Sequence, residues 1–182
     1  MKIMGLDLSI NGTGVCTPDD GVYTITCKAG QGDPRINIVR DRILLDLGGV
    51  DLVVMEDFPS KLQAAAAKAI GLVQGCIRSA LMDAGVPYAV ISPATLKKFA
   101  TGQGNCDKAA LILAAYKRSG REFKDNNQCD AWWLRVAGLH QFSDQPPFGL
   151  PAPQRRALDV VSWPAGIPTS GRPRTPDPQE TT

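Results

Sequence analysis

Apolar and polar residues recur along this chain with two periods, and each change of period marks an element boundary. The opening run Lys2-Ile3-Met4-Gly5-Leu6-Asp7-Leu8-Ser9-Ile10 reads as a strand over 2–10, and β patterns follow at 13–17 and 22–28. Asn11-Gly12 and Pro18-Asp19-Asp20-Gly21 separate them, and both are strong turn signals. Three strands joined this tightly predict an antiparallel meander. Residues 51–56 (Asp51-Leu52-Val53-Val54-Met55-Glu56) are short, apolar and valine-rich, which suits a strand buried on both faces. A further strand is expected at 86–91.

The helical period fills the gaps. Asp33-Pro34 offers an N-cap followed by proline at the first helical position, Ile36, Val39, Ile43 and Leu47 form a buried stripe, and Gly48-Gly49 ends it. Ser60 can cap a long helix reaching about Ala84 and stopped by Gly85. Its alanine run and the segment Gly71-Leu72-Val73-Gln74-Gly75 give a small-residue face, fit either for close approach of another element or for packing on a sheet. Ser92-Pro93 opens a short helix, Thr101-Gly102-Gln103-Gly104-Asn105 reads as a flexible loop, and helices follow from about Asp107 to Ser119 and over about 126–141. The order predicts an α/β domain over 1–142, with parallel strands after an antiparallel opening. Beyond Ser143 the composition shifts, since nine of the fourteen prolines lie there. Leu158, Val160, Val161 and Trp163 give residues 143–164 enough apolar surface to dock on the domain. Residues 165–182, rich in Pro, Thr and Ser, are expected to be disordered.

Composition sets limits. The 182 residues fit one domain plus an extension, and the 43% hydrophobic and 21% charged content is ordinary for a soluble globular protein. A net charge of +2 does not announce a polyanion partner, so any nucleic-acid surface must come from local clustering. No run approaches the roughly 18 apolar residues of a membrane span, and the chain enters a strand with no signal segment. The scattered cysteines (Cys16, Cys27, Cys76, Cys106, Cys129) read as reduced cytoplasmic thiols and not as a zinc or disulfide frame. His140, the single histidine, closes the last helix and supports no general-base network.

The chemistry lies in the acids. Asp7 stands inside an apolar strand, Glu56 ends another, and Asp130 precedes the apolar stretch Ala131-Trp132-Trp133-Leu134. A carboxylate buried unpaired costs several kcal/mol, on the order of 2–7 for a polar group and more for a charge. Convergence on a hard divalent cation is one reason to accept that cost. Asp57 falls on the opposite side of the pleat from Glu56. Asp125-Asn126-Asn127-Gln128 has the form of a capping box with Asp125 as N-cap, which places Asn127 and Asp130 on one helix face. Asn127 could then offer a carbonyl oxygen to a metal, whereas Asp130 could instead complement the helix dipole. A second constellation sets Lys97, Lys98 and Lys108 around Gly102 and Gly104, an arrangement that favours phosphate oxygens, although taken alone the segment reads as a solvated surface loop. Phe58, just past Glu56, could stack on an unpaired base or belong to the core.

Taken together, Gly5-Leu6-Asp7-Leu8-Ser9, Glu56 after a buried strand, Pro93 with Leu96-Lys97-Lys98, Thr101-Gly102-Gln103-Gly104 with Lys108, and Asp130-Ala131 resemble RuvC-type Holliday-junction resolvases, most closely the short phage-encoded members. The likeness runs from residue 1 to about 142 and includes Gly71 and Gly75. It implies an RNase H-like fold, a mixed five-stranded sheet whose first three strands are antiparallel and the rest parallel, flanked by helices. It also implies a homodimer that cuts symmetric strands of a four-way junction with two Mg²⁺ or Mn²⁺ ions, in a bacterial or phage-infected cytoplasm. Flaps and forks are further branched substrates of this class. The family's acids carry over to Asp7, Glu56 and Asp130. Its fourth site residue, an acid or histidine, falls on Asn127, so either Asn127 serves as a weaker ligand or Asp125 completes the site. The DNA-contacting lysines carry over to Lys97, Lys98 and Lys108, and the stacking aromatic lies near Phe58. Two alternatives are a non-catalytic junction-binding protein, compatible with Asn127, and an actin-like ATPase, whose phosphate loop resembles residues 7–14 but which needs two such domains.

Overall fold

Five short runs of β-forming residues make one sheet in the computed structural model, which describes residues 1–58 and 63–167. The strands are β1 (Ile3–Asp7), β2 (Gly12–Cys16), β3 (Val22–Thr26), β4 (Leu52–Glu56) and β5 (Tyr88–Ile91), in the order β3-β2-β1-β4-β5. β1 pairs antiparallel with β2, and β2 with β3, whereas β1–β4 and β4–β5 are parallel. This is the mixed sheet expected from the sequence. β1 stops at Asp7, short of Ile10, because side chains fix a turn at once. The Thr13 hydroxyl accepts from the Ser9 amide (3.1 Å), and Ser9 Oγ accepts from the Gly12 amide (2.9 Å).

Helices α1 (Pro34–Leu45), α2 (Ala64–Asp83), α3 (Pro93–Thr101), α4 (Lys108–Ser119), α5 (Asn126–Phe142) and α6 (Ala152–Arg155) cover both faces, with 3₁₀ turns at Ala29–Gln31 and Arg156–Val160. Alternation along the central strands sorts the core into two layers. Met4, Leu6, Val53 and Met55 pack with Val39, Ile43, Val73, Ile77 and Leu81 of α1 and α2. Ile3, Leu52, Val54 and Ile91 join Phe99, Trp133, Leu134 and Val136 on the other face. There α5 lies against the backbone of β1 and β2, and two glycines permit it. A Cβ on Gly5 would stand 2.0 Å from the Ala131 carbonyl oxygen, and one on Gly14 would stand 2.0 Å from that of Asn127.

Several expectations need correction. Asp33 makes no side-chain cap for α1 and adopts helical backbone angles itself. Ser60 lies outside the described residues, and α2 begins at Ala64 with Gln63 at its N-cap. The small-residue face of α2 is not used for close packing: a Cβ on Gly75 would meet nothing within 4 Å, and the helix buries Val73, Gln74, Ile77 and Leu81 instead. Thr101 closes α3, with its hydroxyl donating to the Lys97 carbonyl (2.8 Å), so the glycine loop starts at Gly102. In the extension, Leu150, Ala157 and Leu158 join the α5-side core, and Trp163 packs against it. Ile167 is buried there too, so the chain does not leave the fold at 165; one branched apolar side chain holds it down. Residues 168–182 lie outside the described residues.

Candidate active site

Strand parity decides where the acids point. Ile3 and Gly5 face α5, and Asp7 shares their parity at the carboxyl end of β1; Leu52 and Val54 face α5, and Glu56 shares theirs. The parallel register sets Leu6 beside Met55, so Asp7 and Glu56 follow at neighbouring positions on adjacent strands. Asp57 takes the other parity, as expected, and approaches Arg78 of α2 at 4.0 Å. The end of β4 is held from behind by a residue the sequence reading missed. Gln74 of α2, buried, donates from Nε2 to the Glu56 carbonyl oxygen (2.7 Å) and accepts from Arg78 (2.9 Å). Its signal was available, because it is a lone amide on the otherwise apolar face of α2.

The third acid arrives on α5. Asp125 is the N-cap: one carboxylate oxygen accepts from the Gln128 amide (2.9 Å) and the other from the Thr24 hydroxyl (2.6 Å). The capping box is displaced by one residue, since Gln128 Oε1 accepts from the Lys124 amide and not from that of Asp125. Trp133 donates from its indole to the Leu111 carbonyl (3.2 Å) and fixes the rotation of the helix. Asp130 then points inward and is only 6% exposed.

These three carboxyls lie in one another's field. Burial, then the Asp130 charge, pushes the Asp7 carboxyl up to about 7. Burial, then the charges of Asp7 and Asp130, pushes Glu56 up to about 8. Burial also raises Asp130, against the pull of Lys108 and Lys97. Lys108, at the start of α4, places Nζ 3.3 Å from Asp130 Oδ2. Burial works against its charge, but the carboxylates of Asp130, Asp7 and Glu56 prevail and raise its pKa. Among the described residues, no three acidic, cysteine or histidine side chains are drawn together tightly enough to hold a metal ion as they stand.

The remaining candidates distribute unevenly. Lys97 is half-buried on α3, and its charge reaches Glu56 and Asp130. Lys98 is exposed on the same helix. Gly102 caps α3 at φ +88°, a conformation that favours glycine, with its amide donating to the Lys98 carbonyl (2.9 Å). Gly104 passes close to α3, where a Cβ would stand 3.3 Å from the Ala94 carbonyl oxygen. Asn127 lies one turn before Asp130, with its side-chain nitrogen 3.0 Å from where a Cβ on Gly12 would stand. The charge of Asp125 is felt at Asp7, though Asp125 is already committed to its cap and to Thr24. Phe58 is 36% exposed and its ring edge lies near Gly71 of α2, so it is not a core residue.

No protein-family profile matches the chain. Solved structures do. Thermus thermophilus RuvC in complex with a Holliday junction substrate superposes with a TM-score of 0.64 at 20% identity, covering 74% of this chain and 90% of that one. A second T. thermophilus RuvC structure gives 0.63 at 20% identity, with 74% and 91% covered. The yeast mitochondrial Holliday junction resolvase Ydc2 aligns more loosely, at a TM-score of 0.45 and 10% identity over 73% and 75%, and nothing here rests on it. The chain therefore has the RuvC fold, an RNase H-like mixed sheet, and carries Asp7 and Glu56 at the carboxyl ends of its two central strands.

Proposed function

We propose that the chain is a metal-dependent, structure-selective endonuclease that hydrolyses phosphodiester bonds in branched DNA, four-way junctions first. One observation carries this reading: half-buried Asp7 and Glu56 and buried Asp130 share one place with too little positive charge to balance them, so that burial raises all three and repulsion from neighbouring acids adds to it at Asp7 and Glu56. A fold does not maintain such a set for stability. The likeness to a RuvC solved with a Holliday junction substrate supports DNA as the substrate class.

The donor set fits a hard divalent cation, because it is all carboxylate oxygen with a surplus of negative charge. Asp7, Glu56 and Asp130 would hold Mg²⁺ or Mn²⁺ ions, with Asn127 or Asp125 completing the set. Bound cations would supply Lewis acidity and lower the pKa of a bound water. The chain's own residues do the rest. Lys108, the counter-charge on Asp130, stands at the site and would offer its ammonium to a phosphate of the bound strand. Lys97 and Lys98 hold backbone phosphates, Gly102 and Gly104 let the backbone approach them, and Phe58 offers a ring to an unstacked base. A second copy would dock on the outer face of α2, where Leu72 and Met82 are exposed either side of Gly75. The setting would be the cytoplasm of a bacterial or phage-infected cell. Asn127 and the loose grouping of the acids favour one second reading, a junction-binding protein without cleavage.

A cleavage assay on four-way, flap and linear duplex DNA with Mg²⁺ or EDTA separates these. Cleavage of branched DNA with Mg²⁺ alone is expected; tight junction binding with no cleavage at any Mg²⁺ or Mn²⁺ concentration establishes the second reading.

A further inference from the structure

The end of the sheet away from the acids carries a second polar site. The turn joining β2 to β3 lies there, and within it Asp20 adopts φ +72°, the left-handed region in which no other described non-glycine residue sits. Its carboxylate is gripped by three donors: Arg121 Nη1, Arg135 Nη1 (2.8 Å) and Trp132 Nε1 (3.2 Å). Arg121 also donates to the Asp20 carbonyl (2.5 Å), and Arg135 to that of Pro18 (2.7 Å). This pins the hairpin to α5.

The cluster holds more positive charge than the turn needs. Beside it opens a cleft of about 740 Å³ whose lining has three guanidiniums, those of Arg118, Arg121 and Arg135, against the single carboxylate of Asp20. Arg118 is not spent on that carboxylate; it reaches Gln154 Oε1 (3.0 Å) and lies over the Phe148 ring at 5.9 Å. Arg135 is only 12% exposed and its Nε is buried with no hydrogen-bond partner. A buried donor without an acceptor costs about 1–3 kcal/mol. Phe148 lines the cleft, backed by the buried Trp132.

We infer that this cleft is a binding site for a phosphate monoester dianion, the group carried by a nucleotide or by a 5′-phosphorylated DNA end. Arginine forks match phosphate oxygens in shape. A dianion balances the two surplus charges, whereas a second carboxylate would leave one unmatched. The half-buried Phe148 ring at the cleft offers an apolar surface to an attached nucleoside. Because the cleft lies at the opposite end of β1 from Asp7, the inference stands or falls independently of DNA cleavage.

The test is the melting temperature of the full-length protein in inorganic phosphate at about pH 8, against sodium chloride of equal ionic strength. Phosphate is expected to raise it saturably. Arg118→Gln, which leaves the Asp20 cage intact, should weaken the apparent affinity by about tenfold, while Lys97→Ala with Lys98→Ala leaves it unchanged. Asp20→Asn should tighten it by removing the competing carboxylate, and Arg118→Gln decides alone if that variant does not fold. Competition by a 5′-phosphorylated oligonucleotide and not by its 5′-hydroxyl form assigns a strand end; competition by dAMP alone assigns a free nucleotide. A phosphate effect no larger than that of chloride, or one unchanged in Arg118→Gln, overturns the inference.

Discussion

The two ends of the sheet treat acidic residues in opposite ways. At one end Asp20 is matched by Arg121 and Arg135 and tied to Trp132, so its charge holds the β2–β3 turn against α5. At the other, Asp7, Glu56 and Asp130 share Lys108 and the more distant Lys97, and all three carboxyls are raised. One helix feeds both ends: α5 brings Asp130 to the acids and Arg135 to Asp20. The difference separates an acid that stabilises the fold from acids that burden it, and only the second kind needs a ligand to explain it.

The comparison can be broken at several points. The largest effect is expected from Gly14→Ala, because the added carbon would meet the Asn127 carbonyl oxygen at 2.0 Å and push α5 off the sheet. Urea denaturation should show a loss of about 3 kcal/mol, the upper range for overpacking. Asp20→Asn and Asp7→Asn should then move stability in opposite directions in metal-free buffer. Losing the Asp20 charge costs about 1–2 kcal/mol, discounted for a side chain that is 46% exposed. Removing the Asp7 charge at about pH 8 returns about 1–2 kcal/mol by relieving burial and repulsion. Equal signs would erase the distinction between the two ends.

A pH profile sharpens the same point. Asp7 and Glu56 have folded-state values of about 7 and about 8, above their unfolded values of 3.8 and 4.5, so the folded protein binds more protons between these limits. Their contribution to stability is therefore full at low pH and is lost as pH rises through about 8. The melting temperature in EDTA should fall over that window, and Mg²⁺ should restore it near pH 8. A flat profile in EDTA would show that neither burial nor repulsion raises these carboxyls. The smallest effect is at Asp125, where Asp125→Ala removes the α5 cap and should cost about 1 kcal/mol with modest change in cleavage. Asn127→Asp should lower the Mg²⁺ concentration needed for activity. If Asp125→Ala abolishes cleavage with the melting temperature unchanged, Asp125 is a metal ligand.

The order and type of the main elements were legible because apolar period and turn residues carry them: Asn11-Gly12 gives the first turn, and Val53, Val54 and Met55 the buried β4. The positions of Asp7 and Glu56 at the ends of apolar strands and of Asp130 early in an apolar helix were legible as well, since an apolar run makes a carboxylate costly. Other features were hidden by distance. Asp20 looks like turn punctuation, and its partners Arg121 and Arg135 lie more than a hundred residues away. The Lys108–Asp130 pair joins two helices that no local pattern relates. Ile167 is one apolar residue in a polar stretch, and composition cannot reveal that a groove receives it. Asp33 looks like a cap because its residue type is favoured there, yet side-chain type alone does not set the backbone angles a cap requires.

Asp7→Asn tests the proposed chemistry most directly, with junction cleavage measured in saturating Mg²⁺ and junction affinity measured in EDTA. The substitution keeps the side-chain shape and removes one negative charge. Cleavage should fall by orders of magnitude, while affinity without metal stays the same or improves, because a carboxylate facing phosphates repels them until cations intervene. Cleavage preserved in Asp7→Asn at saturating Mg²⁺ would contradict a metal-dependent nuclease centred on these three acids.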